Sequence, residues 1–421
     1  MNQPLNIFVP HCSGCLTDVL PHGDGLVAHG FITRLAERGH RLYVAAERVE
    51  LSKPLPDNVR LFPIGSRSTS GSSSGTTSRL SYMLRVRSLL RCLCKDVRFD
   101  LIHQLNPVYT GISLALWGSR IPVVLGPYVA DWPLDPNAIT SSRATLRAVI
   151  RQTKKAAALV QQIGASAILL TTEAARQRVV LADHWKAPIH FLPHGIDSDF
   201  FSPAAPDSSK AVTEERQVIL FYANISARKG IFELLQAFEL LTTGFPAAEL
   251  WVAGDGEQLD AVKDLASRLS GGDRIRFLGR QSREDAVLLM RQADVYCLAS
   301  HGEPYGMTVV EAMSCGLPVV VTDAGGARYL VDEAGGIRVP VKSPSSLAQA
   351  IATLLANPVL RREMGLRNRR RVIEEFSWDR VVDRLEEIYR FTLECERGSQ
   401  LAGNAPRAQF AETLSNGGEP R

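Results

Sequence analysis

The chain has 421 residues, a length typical of two domains, and its 45% hydrophobic and 22% charged residues are ordinary for a protein with a packed core. No apolar run in the sequence is long enough to span a bilayer, and seven cysteines, an odd number, do not suggest a disulfide framework. The start, MNQPLNIFVP, predicts a first β-strand rather than a signal peptide. Together these features predict a cytoplasmic protein.

The formal net charge of +4 is unevenly distributed along the chain. Residues 1–205 contain 22 Lys and Arg against 14 Asp and Glu, whereas residues 206–421 contain 26 against 30. The stretch 79–155, with 12 basic and 4 acidic residues, accounts for the whole excess. A patch of this kind suits an anionic surface such as membrane headgroups, a phosphorylated acceptor or nucleic acid.

In the first half of the chain, short apolar strands alternate with helical segments. The first strand, 5–9, is followed by a loop rich in Gly and His over 10–25 and by a helix over 26–38, which Gly39 caps. Continuous apolar strands separated by helices indicate parallel sheets that are covered on both faces. The other strands predicted here are 42–46, 101–103, 123–125, 167–170 and 189–192.

The same alternation restarts after 202–212, where two prolines and small polar residues break the pattern. The chain is therefore predicted to be an α/β protein with two doubly wound parallel-sheet domains, 1–205 and 206–375. A helix over 376–397 follows them. The strands predicted in the second domain are 218–222, 250–253, 275–278, 295–298 and 318–321.

Three segments stand apart from this alternation. The run 66–78 is almost entirely Ser, Thr and Gly, which predicts a flexible loop, and the polar tail 398–421 is predicted to be disordered. The segment 79–98 interleaves apolar and basic residues. It could be an amphipathic helix lying on an anionic membrane, but an ordinary surface helix packed on its own sheet is the favoured interpretation.

A pair of cations marks the first candidate site. The segment 224–230 follows a predicted strand and opens a predicted helix, so that Arg228 and Lys229 stand at a helix N-terminus. Cations oppose the helix dipole there unless an anion docks, and a phosphate would be attracted by both cations and by free backbone N–H groups. A solvated surface pair is the alternative, and the local pattern does not decide between the two.

A pair of glutamates marks the second candidate site. The loop 301–306 leads from a predicted strand into a helix that is predicted to begin near Thr308, and Glu303 and Glu311 flank this turn. Carboxylates suit hydrogen bonds from sugar hydroxyls, ribose included. Glu311, placed in the first helical turn, would also stabilise the helix dipole. The spacing of the pair is close to chance, so the strand–loop–helix setting gives it its weight.

These segments resemble the retaining glycosyltransferases of family 4, group 1, which have the GT-B fold. Glu303 and Glu311 are similar to the family's E-x7-E motif, as is the sequence around them from Ser300 to Val320. The resemblance covers about residues 5–391. It implies two facing Rossmann-like domains and a C-terminal helix that crosses back to the first. Further similar segments are 35–40, 193–197, 200–203, 251–256 and 325–326.

The resemblance also implies roles for individual residues in binding a nucleotide sugar. Lys229 would bind the donor diphosphate, Glu311 the ribose hydroxyls, and Glu303 the transferred sugar, so that Glu303 and Lys229 are the catalytic candidates. No metal or other cofactor is expected, because fixed cations and helix N-termini would replace a metal. The remaining residues expected to bind the donor are Asn224, Arg228, Gly254, Arg280, Gly306, Met307 and Thr308.

Two departures from the family pattern concern charge and acid–base chemistry. Asn224 stands where the family usually has Arg, so Arg228 is the candidate substitute for the missing cation. The His that many members carry after an N-terminal strand is absent from 124–131; His103 is the candidate to face the cleft, although a structural role for it is favoured. The residues predicted on the acceptor side are Gly23, Asp24, Gly25, His103, Tyr128 and Asp131.

The sequence thus predicts a retaining glycosyltransferase that moves a sugar from a nucleotide-diphosphate sugar to a hydroxyl acceptor, sugar or lipid-linked, in bacterial cell-surface polysaccharide or glycolipid synthesis. The stretch 79–155 is a candidate contact with the inner face of the plasma membrane, and nucleic acid is not expected as a partner. A zinc site at His11, Cys12 and Cys15 is disfavoured, because no second ligand pair follows at a matching spacing.

Three other functions are weighed against this prediction. A nucleotide-sugar epimerase or hydrolase on the same fold would need an acid–base set near the sugar. A non-catalytic sugar-nucleotide-binding protein would not need the intact trio of Lys229, Glu303 and Glu311. A nicotinamide dehydrogenase is the weakest alternative, because no Gly-x-Gly-x-x-Gly directly follows the first strand.

Overall fold

The computed structural model describes residues 3–20, 23–65, 76–105, 108, 111–116, 118–133, 155–180, 187–204 and 216–401. Most of the Ser-rich run 66–78, the part of the basic stretch between 134 and 154, and the predicted tail beyond 401 lie outside these residues. Within the described ranges, no helix combines the length and the apolar content that a bilayer crossing requires.

The chain forms two compact units, and each contains a fully parallel sheet. The first unit draws on Met1–Val129, Leu134–Gly195 and Val381–Arg421. The second draws on Ala130–Pro133 and Ile196–Arg380. The prediction of an α/β protein with two doubly wound parallel-sheet domains is confirmed.

The sheet of the first unit has seven strands in the order β5-β3-β1-β6-β7-β8-β9, and a separate two-stranded sheet pairs β2 with β4. Its strand order reverses between β1 and β6. Helices α1 (Gly23–Glu37), α2 (Thr76–Leu93) and α3 (155–163) belong to this unit. The strands are β1 (Asn6–Val9), β2 (Leu16–Thr17), β3 (Arg41–Ala46), β4 (Val49–Glu50), β5 (Val59–Pro63), β6 (Leu101–Gln104), β7 (Val123–Tyr128), β8 (Ala167–Leu170) and β9 (Ile189–Phe191).

The sheet of the second unit has six strands in the order β12-β11-β10-β13-β14-β15. These strands are β10 (Gln217–Tyr222), β11 (Ala248–Ala253), β12 (Ile275–Gly279), β13 (Val295–Leu298), β14 (Val319–Thr322) and β15 (Gly336–Val339). The helices that follow in the chain are α4 (Ile231–Leu241), α5 (Leu259–Ala266), α6 (Arg283–Gln292), α7 (Met307–Ser314), α8 (Ala327–Leu330), α9 (Pro344–Ala356), α10 (Pro358–Arg371) and α11 (Trp378–Leu401).

The strands that the sequence did not predict lie mainly at sheet edges. β5 and β15 are the terminal strands of their sheets, and their residues alternate or mix in burial instead of forming a continuous apolar run. An edge strand has a neighbour on one side only, so its sequence carries a weaker apolar signal. Two helix bounds also differ: α1 begins at Gly23 within the predicted loop, and α11 continues to Leu401 instead of ending at 397.

The second unit begins at Ile196, ten residues before the predicted boundary at 206, because this connecting stretch is bonded into it. The Ile196 N–H donates to the carbonyl of Phe376 at 2.8 Å. The Arg291 guanidinium donates to the carbonyl of Ser202, also at 2.8 Å. The prolines that interrupt the sequence pattern therefore lie after the start of the second unit.

Helix α11 contributes its residues from Val381 to the first unit, where Tyr389 meets His103 of β6. His103 is 1% exposed, with Nε2 2.9 Å from the carbonyl of Gly126 and Nδ1 2.5 Å from the hydroxyl of Tyr389. A carbonyl can only accept, so Nε2 carries the proton and the Tyr389 hydroxyl donates to Nδ1. Burial lowers the pKa of His103 to about 4. Its burial and these two hydrogen bonds agree with the structural role that the sequence favoured for His103, and they leave neither ring nitrogen free to face a cleft.

Replacement of Tyr389 by Phe should destabilise the first unit, because it leaves Nδ1 of His103 buried without a donor. We expect a loss of about 1–3 kcal/mol in the free energy of unfolding at pH 7.5, measured by thermal or urea denaturation. The same change at Tyr329, which is 43% exposed, serves as the control and should have no measurable effect.

The lowered pKa of His103 gives the wild-type protein a pH dependence with a fixed sign. The folded state keeps this ring neutral, so its contribution to stability is complete above about pH 6.5 and declines as the pH falls towards 4.

An unfolding temperature for Tyr389→Phe equal to that of the wild type would contradict the assigned hydrogen bond.

Candidate active site

The predicted site lies where the strand order of the second unit reverses. β10 and β13 are neighbours in the sheet, while the chain passes through β11 and β12 on the far side of β10 before it returns. In open parallel sheets, ligands bind outside the carboxyl ends of the strands at such a reversal. Lys229 follows β10 and Glu303 follows β13, so the two catalytic candidates flank this point.

The cationic segment forms a single 3-10 turn, Ala227–Lys229, and Gly230 separates it from α4. Arg228 and Lys229 therefore precede the helix, whereas the sequence pattern predicted them at its first residues. Gly230 has a φ of 72°, and a Cβ there would clash with the carbonyl oxygen of Ala299 just after β13. The His301 N–H donates to the carbonyl of Arg228 at 2.8 Å and holds the two loops together.

The side chains of Lys229 and Glu303 form an ion pair in this position. Lys229 Nζ lies 2.6 Å from Glu303 Oε2, and the two side chains are 16% and 11% exposed. The Gly326 N–H donates to the carbonyl of Glu303 at 2.6 Å. Gly325, with a φ of 64°, lies so close to this backbone that a Cβ would clash with it. The loop after β14 thus fixes the backbone that carries Glu303.

Helix α7 begins at Met307, directly after Gly306, whose φ is 106°. The first N–H groups of a helix have no partner within it, so the turn presents donors at the carboxyl edge of the sheet. Thr308 accepts a hydrogen bond of 2.6 Å from the hydroxyl of Tyr296 on β13. Glu311 is the fifth residue of α7, beyond the first turn, so the predicted role as a partner of the helix dipole is wrong.

Glu311 is held in an environment that disfavours its charged form. Burial raises the pKa of Glu311 to about 7, and the positive charge of Arg283 opposes this rise. The Arg283 guanidinium lies over the rings of Phe200 and Phe201, 5.0 and 5.5 Å from their centroids. Arg283 is not among the residues predicted from the sequence, because an Arg at the start of a helix resembles any solvated surface residue.

Replacement of Glu311 by Gln should stabilise the protein at pH 8, because a carboxylate is costly in this position. The raised pKa means that the folded state binds the proton more tightly than the unfolded state, so wild-type stability falls as the pH rises from about 4.5 to 7. We expect a gain on the order of 1–3 kcal/mol at pH 8 that vanishes near pH 5. Unfolding temperatures across this range test the prediction.

The exposed Glu363 of α10 provides the matched control, because a Glu→Gln change there should leave the pH dependence unaltered. A Glu311→Gln protein that is less stable than the wild type at pH 8 would show that the carboxylate supports the fold.

The other predicted donor residues lie at the ends of neighbouring strands. Asn224 follows β10, Gly254 follows β11 and Arg280 follows β12. Asn224 donates to the carbonyl of Asp255 at 3.1 Å, and the Arg280 guanidinium lies 3.5 Å from the Asp255 carboxylate. Because Arg280 is 71% exposed, its charge is available to a ligand at this edge. These residues form a second group beside the ion pair.

The residues predicted on the acceptor side are drawn from both units. Gly23, Asp24 and Gly25 occupy the first turn of α1, and Tyr128 ends β7 with 3% exposure. Burial raises the pKa of Tyr128 to about 12. Asp131 is exposed and belongs to the second unit, whereas the others belong to the first. The acceptor site remains a prediction.

Besides Arg283, the structure adds Trp132, which the sequence pattern gave no reason to select. Trp132 belongs to the second unit, and the centroid of its ring lies 4.4 Å from Arg228 Cζ and 5.1 Å from Lys229 Nζ. A lone tryptophan in a loop carries no periodic signal, so the sequence could not have indicated this contact.

The described residues contain no cluster of three or more His, Cys, Asp or Glu side chains that is arranged to hold a metal ion. The disfavoured zinc site consists of His11, Cys12 and Cys15. Its two cysteines are buried free thiols. Burial raises the pKa of Cys12 to about 12, and the charge of Cys15 adds to this rise.

Two family models match the chain. The model described as Glycosyltransferase Family 4 matches residues 23–200, and the model described as Glycosyl transferases group 1 matches residues 206–371. Lys229, Glu303, Glu311 and Arg283 lie within the group 1 match, and Trp132 lies within the family 4 match.

Named relatives share this similarity. The chain is 30% identical over 210 residues to the GDP-mannose-dependent monoacylated alpha-(1-6)-phosphatidylinositol monomannoside mannosyltransferase of Corynebacterium glutamicum; the match covers 47% of this chain and 55% of the relative. It is 26% identical to the phosphatidyl-myo-inositol mannosyltransferase of Mycobacterium tuberculosis, over 92% of this chain and 96% of the relative.

A solved structure with the same fold is that of Anabaena Alr3699/HepE in complex with UDP and glucose. The TM-score is 0.66 at 21% identity, and the match covers 92% of this chain and 99% of that chain.

Proposed function

Because the chain belongs to the family 4, group 1 glycosyltransferases, which have the GT-B fold, we propose that it transfers a sugar from a nucleotide-diphosphate sugar to a hydroxyl acceptor with retention at the anomeric carbon. The observation that carries the proposal is the ion pair of Lys229 and Glu303 at the strand-order reversal of the second unit. It joins a phosphate-binding cation to a sugar-binding carboxylate at the place where ligands of such sheets bind.

The donor diphosphate would bind between two strand-to-helix turns. Lys229 supplies a fixed positive charge, and the N-terminus of α7 at Met307 and Thr308 supplies backbone N–H donors and the positive end of a helix dipole. These groups would stabilise the negative charge that develops on the departing nucleoside diphosphate. In this proposal they take the place of a divalent metal.

Binding of the donor would rearrange the ion pair. In its absence Lys229 neutralises Glu303, and a diphosphate competes for the same ammonium group. Glu303 is then free to accept hydrogen bonds from hydroxyls of the transferred sugar. Because Glu303 is proposed to accept hydrogen bonds from the sugar instead of attacking its anomeric carbon, we propose front-face substitution, without a covalent intermediate, as the route to retention.

The relatives suggest the class of donor and acceptor. Both named mannosyltransferases act on phosphatidylinositol lipids according to their names, and one of them is named as GDP-mannose-dependent. The Anabaena protein was solved with UDP and glucose. We therefore propose a UDP- or GDP-linked hexose as donor and a glycolipid or lipid-linked saccharide as acceptor.

Loss of either member of the ion pair should abolish most of the activity. We expect Lys229→Ala and Glu303→Gln each to lower kcat by about 10²–10³-fold, because each removes a group that contacts the diphosphate or the sugar at the reacting bond. Transfer is measured by release of the nucleoside diphosphate in the presence of membrane lipid extract as acceptor.

Arg268→Ala is the matched control, because Arg268 pairs with Asp264 on the surface and is 73% exposed. Its activity should equal that of the wild type, and all three variants should show the wild-type circular dichroism spectrum. Near-normal turnover in both site variants with a donor that the wild type uses would refute the site assignment.

Helix α2 supports the proposal of a lipid-linked acceptor. Its Tyr82, Val86 and Leu90 pack into the core of the first unit, as the favoured interpretation of the basic segment predicted. The same helix nevertheless exposes Leu80 and Leu84, at 57% and 61%. The exposed cations Arg87, Arg91 and Lys95 follow in the same part of the chain. Exposed leucines beside cations suit the surface of an anionic membrane.

A vesicle assay tests this surface. We expect the protein to co-sediment with phosphatidylglycerol vesicles but not with phosphatidylcholine vesicles, and the binding should weaken as salt rises because charge attraction is screened. The double change Leu80→Gln and Leu84→Gln should reduce the bound fraction several-fold. Leu240→Gln with Leu288→Gln, at 60% and 52% exposure in the second unit, is the control. Binding that salt does not weaken would exclude the electrostatic contribution.

A further inference from the structure

The segment 130–133, which we call the strap, is bonded to the loop that carries Glu303. The Ala130 N–H donates to the carbonyl of Pro304 at 3.3 Å. The ring of Pro133 lies 2.6 Å from the position that a Cβ on Gly302 would take, so only a glycine leaves room for the strap there. These contacts lie within the second unit, to which the strap belongs.

The strap places one aromatic ring beside two cations. Arg228 Cζ lies 4.4 Å and Lys229 Nζ 5.1 Å from the ring centroid of the half-buried Trp132, both within the range of a cation–π contact. Adjacent residues of like charge repel each other, and an electron-rich face that attracts both reduces the cost of keeping them close. Lys229 is also held from another side by Glu303, which fixes its ammonium group.

The contact between Trp132 and Arg228 concerns the second cation of the family pattern, which this chain lacks at position 224. Asn224 stands where the family pattern usually has an arginine, and its side chain donates a hydrogen bond to the carbonyl of Asp255. Arg228, in contrast, shares the ring of Trp132 with Lys229, so both charges lie at one place. The carbonyl of Arg228 accepts from the His301 N–H, which ties its backbone to the glutamate loop.

We propose that Trp132 is a positioning residue that holds Arg228 beside Lys229, so that Arg228 acts as the second cation for the donor's diphosphate. The proposal rests on the proposed function and adds to it the identity of the second cation and the group that orients it. Its ligand is a nucleoside diphosphate, whatever the base.

Binding of UDP, GDP and ADP, measured by isothermal titration calorimetry, tests the proposal without the acceptor. For each diphosphate that the wild type binds, we expect Trp132→Leu and Arg228→Ala each to raise Kd by about tenfold, a size typical of losing one charge contact. Trp132→Phe keeps an aromatic face and should therefore bind the diphosphate more tightly than Trp132→Leu. If the tryptophan only filled space, this difference between the two variants would not be required.

A double-mutant cycle separates positioning from a direct contact with the ligand. If Trp132 acts through Arg228, the double variant Trp132→Leu with Arg228→Ala should bind no more weakly than Arg228→Ala alone. Arg216→Ala is the matched control: Arg216 lies 5.0 Å from the ring centroid of Trp251, but it precedes β10 at the opposite edge of the sheet. Its Kd should equal that of the wild type.

The outcomes distinguish the two proposals. Equal Kd values for wild type and Trp132→Leu, or fully additive effects in the cycle, would overturn the role of Trp132 while the proposed function stands. A wild-type protein that binds none of the three diphosphates would overturn both. Thermal unfolding of each variant in the absence of nucleotide shows whether a lost affinity reflects a lost fold.

Discussion

Lys229 and Glu303 lie 74 residues apart, and the 2.6 Å contact between them requires two strand-to-helix turns to approach each other closely. The strand order meets this requirement, because it makes β10 and β13 neighbours whose carboxyl ends open on the same edge. Backbone packing does the rest: Gly230 lets the cationic turn lie against the end of β13, and Gly325 lets the loop after β14 lie against the backbone of Glu303. The ion pair therefore depends on glycines that themselves carry no charge.

The groups of the proposed donor site carry an electrostatic cost in the free protein. Adjacent cations at Arg228 and Lys229 repel each other, and the raised pKa of Glu311 shows that its charged form is disfavoured by burial. Within the second unit, the carboxylate of Glu303 attracts Lys229 and the ring of Trp132 attracts both cations, which lowers the free-energy cost of their mutual repulsion. A donor that brought negative charge and ribose hydroxyls would lower it further. The same groups that reduce stability would then provide binding energy.

The sequence predicted the parts of the fold that rest on continuous apolar strands, and it predicted the loops at the carboxyl ends of β10, β11 and β13. It failed where the signal is not periodic. The edge strands β5 and β15 are only partly buried, and the boundary at Ile196 depends on hydrogen bonds that involve distant partners. Trp132 contacts residues nearly a hundred positions away, and such a contact leaves no pattern in the local sequence.

Residues proposed to bind the donor can be identified from the sequence more readily than residues that would bind the acceptor, because the two ligands differ in chemistry. Fixed positive charge and helix N-termini attract phosphate groups, and both occur in strand-to-helix turns that the sequence pattern reveals, as at Lys229 and the start of α7. An acceptor hydroxyl imposes no comparable requirement, so the residues named for the acceptor side remain a prediction. His103 illustrates this difficulty: it was the candidate histidine for the cleft, yet it lies within β6, and Gly126 and Tyr389 occupy both its nitrogens. The proposal of a lipid-linked acceptor therefore rests on exposed groups instead, namely the leucines of α2 and the cations in and after this helix, whose chemistry suits an anionic membrane.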